Sequence, residues 1–449
     1  MSGRQRIGRY LLALLLVAGA APAAFAQAGD TQNLLQVWQK ALQRDPIYAA
    51  SQSARQAEQE AVPQARSRLL PQVSADALAL TNDARRASSL GSGSNSNLAL
   101  WALTLQQPLF DLEAWRGLER AEFIAQAADV SVTAQYQSLI LRVAEAYFQV
   151  LAIQDTLRAL LAEKEAVQFQ LRAAERGFEL GGTTIADTYE AQSRLDLLNA
   201  EQIQFENALQ VARDSLARII AEPAGKLATL AEGTALPAPE PRRLDAWTTQ
   251  ASSANLQVLQ AQLTSQIVES QLAMAKGRHA PTVDLEAQTG SASDTGIYGP
   301  GAGPRSLDSS VGIRLSIPLY SGGEISSVVR EQASRLQQSR FEYENARRQA
   351  VLDAQRYFAG VTSGLSRIRA LEAAEASSKN AVQANQTGYE IGVRINIDVL
   401  DAQRQLYETQ RSLAQARYET LMDSLRLKAS VGTLGEADII AVNGLLQSP

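Results

Sequence analysis

Asp398 and Asp401 stand three residues apart at the start of an apolar-periodic segment, so a helix there carries both carboxylates on one face. Acids in that position complement the positive end of a helix. Repeated around an axis, they would line a constriction that favours cations and excludes anions. Asp187 occupies the corresponding place earlier in the chain. Few other groups offer chemistry. His279 is the one histidine and there is no cysteine, which removes disulfides, thiolate zinc sites, cysteine nucleophiles and multi-histidine metal centres. Gly299-Pro300-Gly301-Ala302-Gly303-Pro304 lacks the lysine and following helix of a phosphate-binding loop and is expected to be a surface loop. His279, beside Ala280-Pro281 at a helix-to-strand corner, is expected to be an interfacial polar residue. No nucleophile is paired with a base, so neither catalysis nor a cofactor is expected.

The elements that must position these acids follow from composition and pattern. The chain has 449 residues and a formal charge of −5, which argues against nucleic-acid binding. With 45% hydrophobic but only 6% aromatic residues it is alanine-rich and helix-leaning, and the core is expected to be thin and extended. Arg4, Arg6 and Arg9 precede an apolar run from Tyr10 to Ala21, and Ala24-Phe25-Ala26 has the form of a cleavage site. Residues 1–26 are therefore expected to be a secretory signal peptide. Its apolar run is shorter than the ~20 residues a transmembrane helix needs. Cutting after Ala26 would remove three arginines and no acid, taking the charge from −5 to −8.

The chain repeats itself at an offset of 210. Ala65 to Val73 pairs with Ala275 to Val283, Pro108-Leu109-Phe110 with Pro318-Leu319-Tyr320, and Tyr147-Phe148 with Tyr357-Phe358. One inserted residue later, Gly177-Phe178-Glu179-Leu180-Gly181 matches Gly388-Tyr389-Glu390-Ile391-Gly392, and Asp187 matches Asp398. The expected organisation is a first repeat over 27–221, a proline-rich linker over 222–250, a second repeat over 251–432 and a tail over 433–449.

Each repeat is expected to hold a helix, two strands and a long helical hairpin. No Gly or Pro interrupts Leu118 to Arg176, and Val132, Tyr136, Leu139, Val143, Ala146, Val150, Ile153, Leu157, Leu160, Lys164, Val167, Leu171, Ala174 and Phe178 keep a coiled-coil spacing broken only by Lys164. About 60 residues at 1.5 Å each make a rod of roughly 90 Å, too long to fold back inside a globule. Hairpins are expected at about 113–221 and 324–431, although Gly360 and Gly364 should weaken the second locally. Leu180-Gly181-Gly182 and Ile391-Gly392-Val393 would form their turns.

Strands are expected at about 71–82, 97–110, 281–290 and 308–320. Trp101, Leu103 and Leu105, and Val311, Ile313, Leu315, Ile317 and Leu319, alternate with smaller or polar residues, giving one apolar and one wet face. Asp76, Asp284, Glu286 and Arg314 fall on the wet face. A ten-residue strand tilted at 45° rises ~23 Å, about the apolar height of an outer membrane, yet four strands fall short of the minimum of about eight that closes a spanning barrel. Open edges are forbidden in lipid, so several chains must build one barrel.

In its duplication, its Pro318-Leu319-Tyr320-Ser321-Gly322-Gly323 strand-to-helix junction and its run from Gly388 through Val393-Arg394 to Asp398-Val399-Leu400-Asp401, the chain resembles the TolC-type outer-membrane channel-tunnels of drug efflux and type I protein secretion. The resemblance implies a mainly α fold with a membrane β-barrel: a homotrimer with twelve strands in one barrel and twelve coiled-coil helices forming a periplasmic tunnel. It implies a passive exit path working with a periplasmic adaptor, which would meet the hairpin tips, and with an inner-membrane ABC or proton-driven transporter. Trp101, Leu103, Leu105, Val311, Ile313 and Leu315 would face lipid. By similarity, Tyr389, Arg394 and Asp187 would tether the second hairpin when the tunnel is closed, and Asp398 and Asp401 would set ion selectivity. The family often carries a hydroxyl just before the first acid, where this chain has Ala186, so part of that lock is expected to be missing or rearranged. The competing expectation is a periplasmic adaptor or coiled-coil scaffold without a channel. Such proteins usually carry one hairpin between β modules, whereas this chain has two.

Overall fold

The computed structural model describes residues 31–84, 94–231, 233–294 and 306–447. The expected signal peptide, the 299–304 run expected to be a surface loop and most of both strand-connecting loops lie outside the described residues. Two helical hairpins dominate. The first pairs α4 (Leu112–Glu179) with α5 (Ile185–Ile220), and the second pairs α8 (Glu324–Glu390) with α9 (Asn396–Ser430). At 68 and 67 residues, α4 and α8 are rods of roughly 100 Å. Leu160, Val167, Leu171, Ala174, Ala191 and Leu198 bury the seam of the first hairpin, as the heptads require. Lys164 stays at its edge and donates to Gln202 at 2.7 Å. Gly360 and Gly364 do not interrupt α8. They let it approach α9 closely, because a Cβ on them would lie 2.4 Å from Asp423 Oδ2 and 2.3 Å from Thr420 Oγ1.

The duplication is visible around the middle of the rods. In the first half α1 (Leu34–Arg44) turns at Asp45 into α2 (Pro46–Gln59), followed by α3 (Ala61–Ser67). In the second, α6 (Leu244–Ala254) turns at Asn255 into α7 (Leu256–Gly277). Each turn residue caps the next helix: Asp45 accepts from Tyr48 N at 2.8 Å, and Asn255 from Gln257 N at 2.8 Å. Tyr147 and Phe148 anchor a core with Leu34, Trp38, Leu216 and Leu425, while their counterparts Tyr357 and Phe358 pack on Trp247, Ala251 and Val258. Tyr147 Oη donates to Ala228 O at 2.7 Å, and burial pushes its hydroxyl pKa up. Beside it, β3 (Thr229–Leu230) pairs with β6 (Leu446–Gln447) after α10 (Glu436–Asn443).

The long strands form one antiparallel sheet in the order β1 (Gln72–Ala84), β2 (Ser94–Phe110), β4 (Thr282–Asp294), β5 (Ser306–Ser316). Neither β1 nor β5 has an outer partner among the described residues. The ladder of β5 stops at Ser316, short of the expected 320. Pro318 has no N–H to donate, and the chain leaves the sheet before the left-handed Gly322-Gly323 corner that starts α8.

Candidate functional site at the hairpin tips and the sheet

Register sorts most of the sheet's side chains into two faces, with Gln107 the polar exception in the row of Leu285 and Ile313. Val73, Leu105, Ala287 and Val311 share a row, as do Ala77, Trp101, Ser291 and Leu307, while Leu285 with Ile313 and Val283 with Leu315 continue the same face. The opposite face carries Ser74, Thr104, Gln288 and Ser310, then Pro108, Asp284 and Arg314. There Arg314 Nη2 lies 2.7 Å from Glu286 Oε2. On the apolar face Val311, Ile313 and Leu315 are 77%, 69% and 60% exposed in the single chain. An exposed apolar face of this kind is the candidate membrane surface. Among the described residues no helix is long and apolar enough to cross a membrane.

Both tips use one device. Gly181 and Gly392 take left-handed φ values of 72° and 77°. Gly182 N donates to Gly177 O at 2.7 Å and Gly181 N to Phe178 O at 2.9 Å; Val393 N donates to Gly388 O at 2.8 Å and Gly392 N to Tyr389 O at 3.0 Å. These are paired Schellman closures, which explains why the two glycine-bounded motifs repeat. Leu180, Ile391 and Val393 stand out at 87%, 70% and 75% exposure. Such side chains at the end of a rod can meet a partner but have nothing of their own chain to cover them.

The two repeated acids sit just past these turns as N3 residues. Asp187 Oδ2 accepts from Thr184 N at 2.8 Å and from Thr184 Oγ1 at 2.9 Å, a capping box. Asp398 Oδ2 accepts from Ile395 N at 3.4 Å. Asp398 also lies 3.6 Å from Arg394 Nη1, and Asp401 lies 3.2 Å from Arg404 Nη2. A cavity of about 350 Å³ between α8 and α9 brings Arg394, Asp398 and Asp401 together with Asn385 and Gln405. Arg394 therefore spends its charge inside its own hairpin in the single chain. Tyr389 faces the first hairpin: burial raises its hydroxyl pKa, and the Asp187 carboxylate adds to the rise.

Two polar joints escaped sequence reasoning. Asn396 is fully buried at the start of α9, where it accepts from Gln170 Nε2 at 2.5 Å and donates to Asp187 O at 3.0 Å. Glu163, also fully buried, is ion-paired to Arg194 of α5 and lies 3.8 Å from Arg411 of α9. The signal available was a charged residue, Glu163, adjoining the one break in the heptads.

An open sheet with an exposed apolar face, set on two long hairpins duplicated in one chain, invites comparison with known proteins. A family model described as "Outer membrane efflux protein" matches residues 37–222 and again 247–433. The chain belongs to this family. The chain is similar to outer membrane protein TolC of Escherichia coli (strain K12), 34% identical over 98% of this chain and 90% of that protein. It is also similar to the alkaline protease secretion protein AprF of Pseudomonas aeruginosa, 30% identical over 75% of this chain and 70% of that protein. In fold it is similar to the outer membrane protein VceC of Vibrio cholerae, with a TM-score of 0.75 and 17% identity over 89% of this chain and 96% of that one. As an outer membrane efflux protein the chain is an outer-membrane channel component with a helical periplasmic part, and the scaffold without a channel is set aside.

Proposed function

We propose that three copies of this chain assemble into a channel-tunnel that gives a passive exit across the periplasm and the outer membrane. The observation that carries this reading is the four-stranded sheet, with two edges unpaired among the described residues and an exposed apolar face. Backbone groups on such edges cannot be left bare in hydrocarbon, and roughly twelve strands from three copies exceed the minimum of about eight for a spanning barrel. The wet face, with Asp284, Glu286 and Arg314, then lines the lumen. The hairpins continue the barrel as a tunnel whose far end carries Asp187, Tyr389, Arg394, Asp398 and Asp401. An inner-membrane transporter, ABC-type or proton-driven, supplies the energy, and a periplasmic adaptor meets Leu180, Gly181, Gly182, Ile391, Gly392 and Val393. The names of similar proteins, which include AprF and the proteases secretion protein PrtF, support protein secretion, and the description of the family supports efflux. The chain itself performs no covalent chemistry.

Opening follows from an outward untwisting of the second hairpin, with Arg394 and Tyr389 among the groups that resist it. An exposed ion pair contributes only ~1 kcal/mol or less, so a lock of this kind works through threefold repetition. In planar bilayers the native channel should show a small, nearly closed conductance, and Arg394→Ala should raise it while strengthening cation preference, because Asp398 loses its counter-charge. An unchanged conductance would remove Arg394 from the gate.

A further inference from the structure

Far from the tips, where the sheet passes into the helices, three helices meet around a polar cavity. The end of α7 lies against the start of α4: a Cβ on Gly277 would stand 3.1 Å from Glu113 N, and one on Gly117 3.7 Å from Met274 Cε. That contact brings Arg278 Nε to 3.1 Å from Glu113 Oε1. With α8 on the far side of α7, the three helices enclose about 420 Å³ lined by Arg120, Arg278 and Arg335, by Glu113, and by the amides of Gln271 and Gln332. Arg335 lies 2.8 Å from Glu331 of its own helix. Arg120 has no acceptor among the described residues: its Nε is screened from solvent without a partner, as is Gln332 Oε1. Three guanidiniums thus face two carboxylates, leaving one positive charge in each chain. Both existing pairs are part-exposed, so they contribute little and can be shared with an incoming anion.

The cavity opens on the inner side of the helix wall. The outer side of α8 is marked by the linker, whose Leu236 and Arg242 lie across Phe358, Leu365 and Glu372. These three share one heptad position, whereas Val328 and Arg335 of the cavity share another, about 150° round the helix. A linker strapped over the helices has to run outside a tunnel that conducts, which puts the cavity on the lumen side. We propose that the cavity is an oxyanion-binding site in the tunnel wall, one per chain just below the barrel, taking carboxylate or phosphate groups of molecules on their way out. Its position in a lumen rests on the channel reading above. Guanidinium forks match the two oxygens of such groups, and Gln271 and Gln332 offer amide donors beside them. An anion has to compete with Glu113 for Arg278, so ligands carrying two or more charges are favoured. Asp284 and Glu286 on the wet face of the sheet repel a captured anion, which keeps binding weak enough for release.

The test uses the full-length protein purified in mild detergent. Calorimetric titration with citrate at low salt should show one site per chain, with affinity falling as salt is added. Arg120→Gln should weaken binding about tenfold or more, since a charged donor is lost. Arg335→Gln should weaken it too. Arg116→Gln removes a charge one turn from Arg120 but outside the cavity, where Arg116 is paired with Glu119 at 2.7 Å, and should change affinity by less than about twofold. Since the chain has no cysteine, Met274→Cys carrying an environment-sensitive dye places a reporter on the cavity wall. Its emission should shift with citrate and stay still when Arg120→Gln is added. A hexaglutamate peptide separates the sources of the ligand: binding at least as tight as that of citrate supports the site as one for acidic segments of exported polypeptides, and citrate alone supports it as one for small anions. If Arg120→Gln does not assemble, Arg335→Gln and the dye decide. Failure of the assembled native protein to bind either probe, or equal losses in Arg116→Gln and Arg120→Gln, would overturn the proposal. A protein that conducts ions but binds neither probe loses the site and keeps the channel reading; one that binds citrate but forms no channel keeps the site and loses its place in a tunnel.

Discussion

Neutralising Asp398 and Asp401 together as asparagines should reverse the ion preference of the channel and not merely weaken it. Apart from Asp187, which is held in the capping box of its own helix, each copy places two carboxylates and two guanidiniums, Arg394 and Arg404, at the tip, paired at 3.6 Å and 3.2 Å. The four charges nearly cancel at a distance, and the carboxylates dominate only where they lie nearer the axis. Removing both acids leaves two uncompensated arginines per copy, six around the constriction of a trimer. At about 8 Å from an ion on the axis each unit charge contributes about 0.5 kcal/mol in water, so six sum to about 3 kcal/mol. A Debye length of about 8 Å at physiological salt cuts this to about 1 kcal/mol, a severalfold change in relative permeability. Reversal potentials in a salt gradient should therefore move toward the anion side, and divalent block should weaken. Unaltered reversal potentials would place both acids outside the pore.

The second large effect lies far from the tip. Asp45 is buried and has two tasks: it caps α2 through Tyr48 N, and it takes a bidentate pair from Arg142 at 2.9 Å and 3.0 Å. Truncation to alanine leaves α2 uncapped and Arg142, which is partly exposed, without its carboxylate; losing the cap costs about 1 kcal/mol and losing the charge-assisted hydrogen bonds about 1.5–3 kcal/mol. Asparagine should cost less, because Asn255 shows at the equivalent turn that an amide can cap the helix while bonding Ser430 O at 2.8 Å. Burial alone would raise the Asp45 carboxyl pKa, but the Arg142 and Tyr48 bonds outweigh it and hold it below the usual carboxylate range. A depressed folded-state pKa means the contribution is complete above the unfolded value of about 3.9 and is lost as pH falls through the folded one. The native protein should thus dissociate and unfold at a higher temperature than Asp45→Asn at pH 7, with the gap closing in strong acid. A gap that persists unchanged there would assign the effect to packing alone.

How much could be foreseen depends on how local each signal is. The long hairpins were legible because heptads and missing breakers act within a few turns, and the paired tips because Gly177 to Gly181 and Gly388 to Gly392 each encode a complete Schellman closure. The two faces of the strands follow from a period of two, which the register of Val73, Leu105, Ala287 and Val311 preserves. Gly360 and Gly364 read in the sequence only as weak points of a helix, and the close approach to Asp423 and Thr420 that they permit lies on another helix. The Asn396 and Glu163 joints were invisible for the same reason: their partners are 226 and 31 residues away for Gln170 and Arg194, and no spacing within one helix announces them. The pairing of Arg394 with Asp398 is short-range, yet its competition with partners across the hairpin seam depends on geometry that only the folded chain supplies.

The measurement that bears most directly on the account is the mass of the functional unit. Among its described residues each chain offers four long strands and two bare edges, so the protein extracted from outer membranes in mild detergent should appear in native mass spectrometry as three chains, and cross-linking across the β5 and β1 edges should join neighbouring copies. A single chain that conducts ions on its own after reconstitution would contradict it.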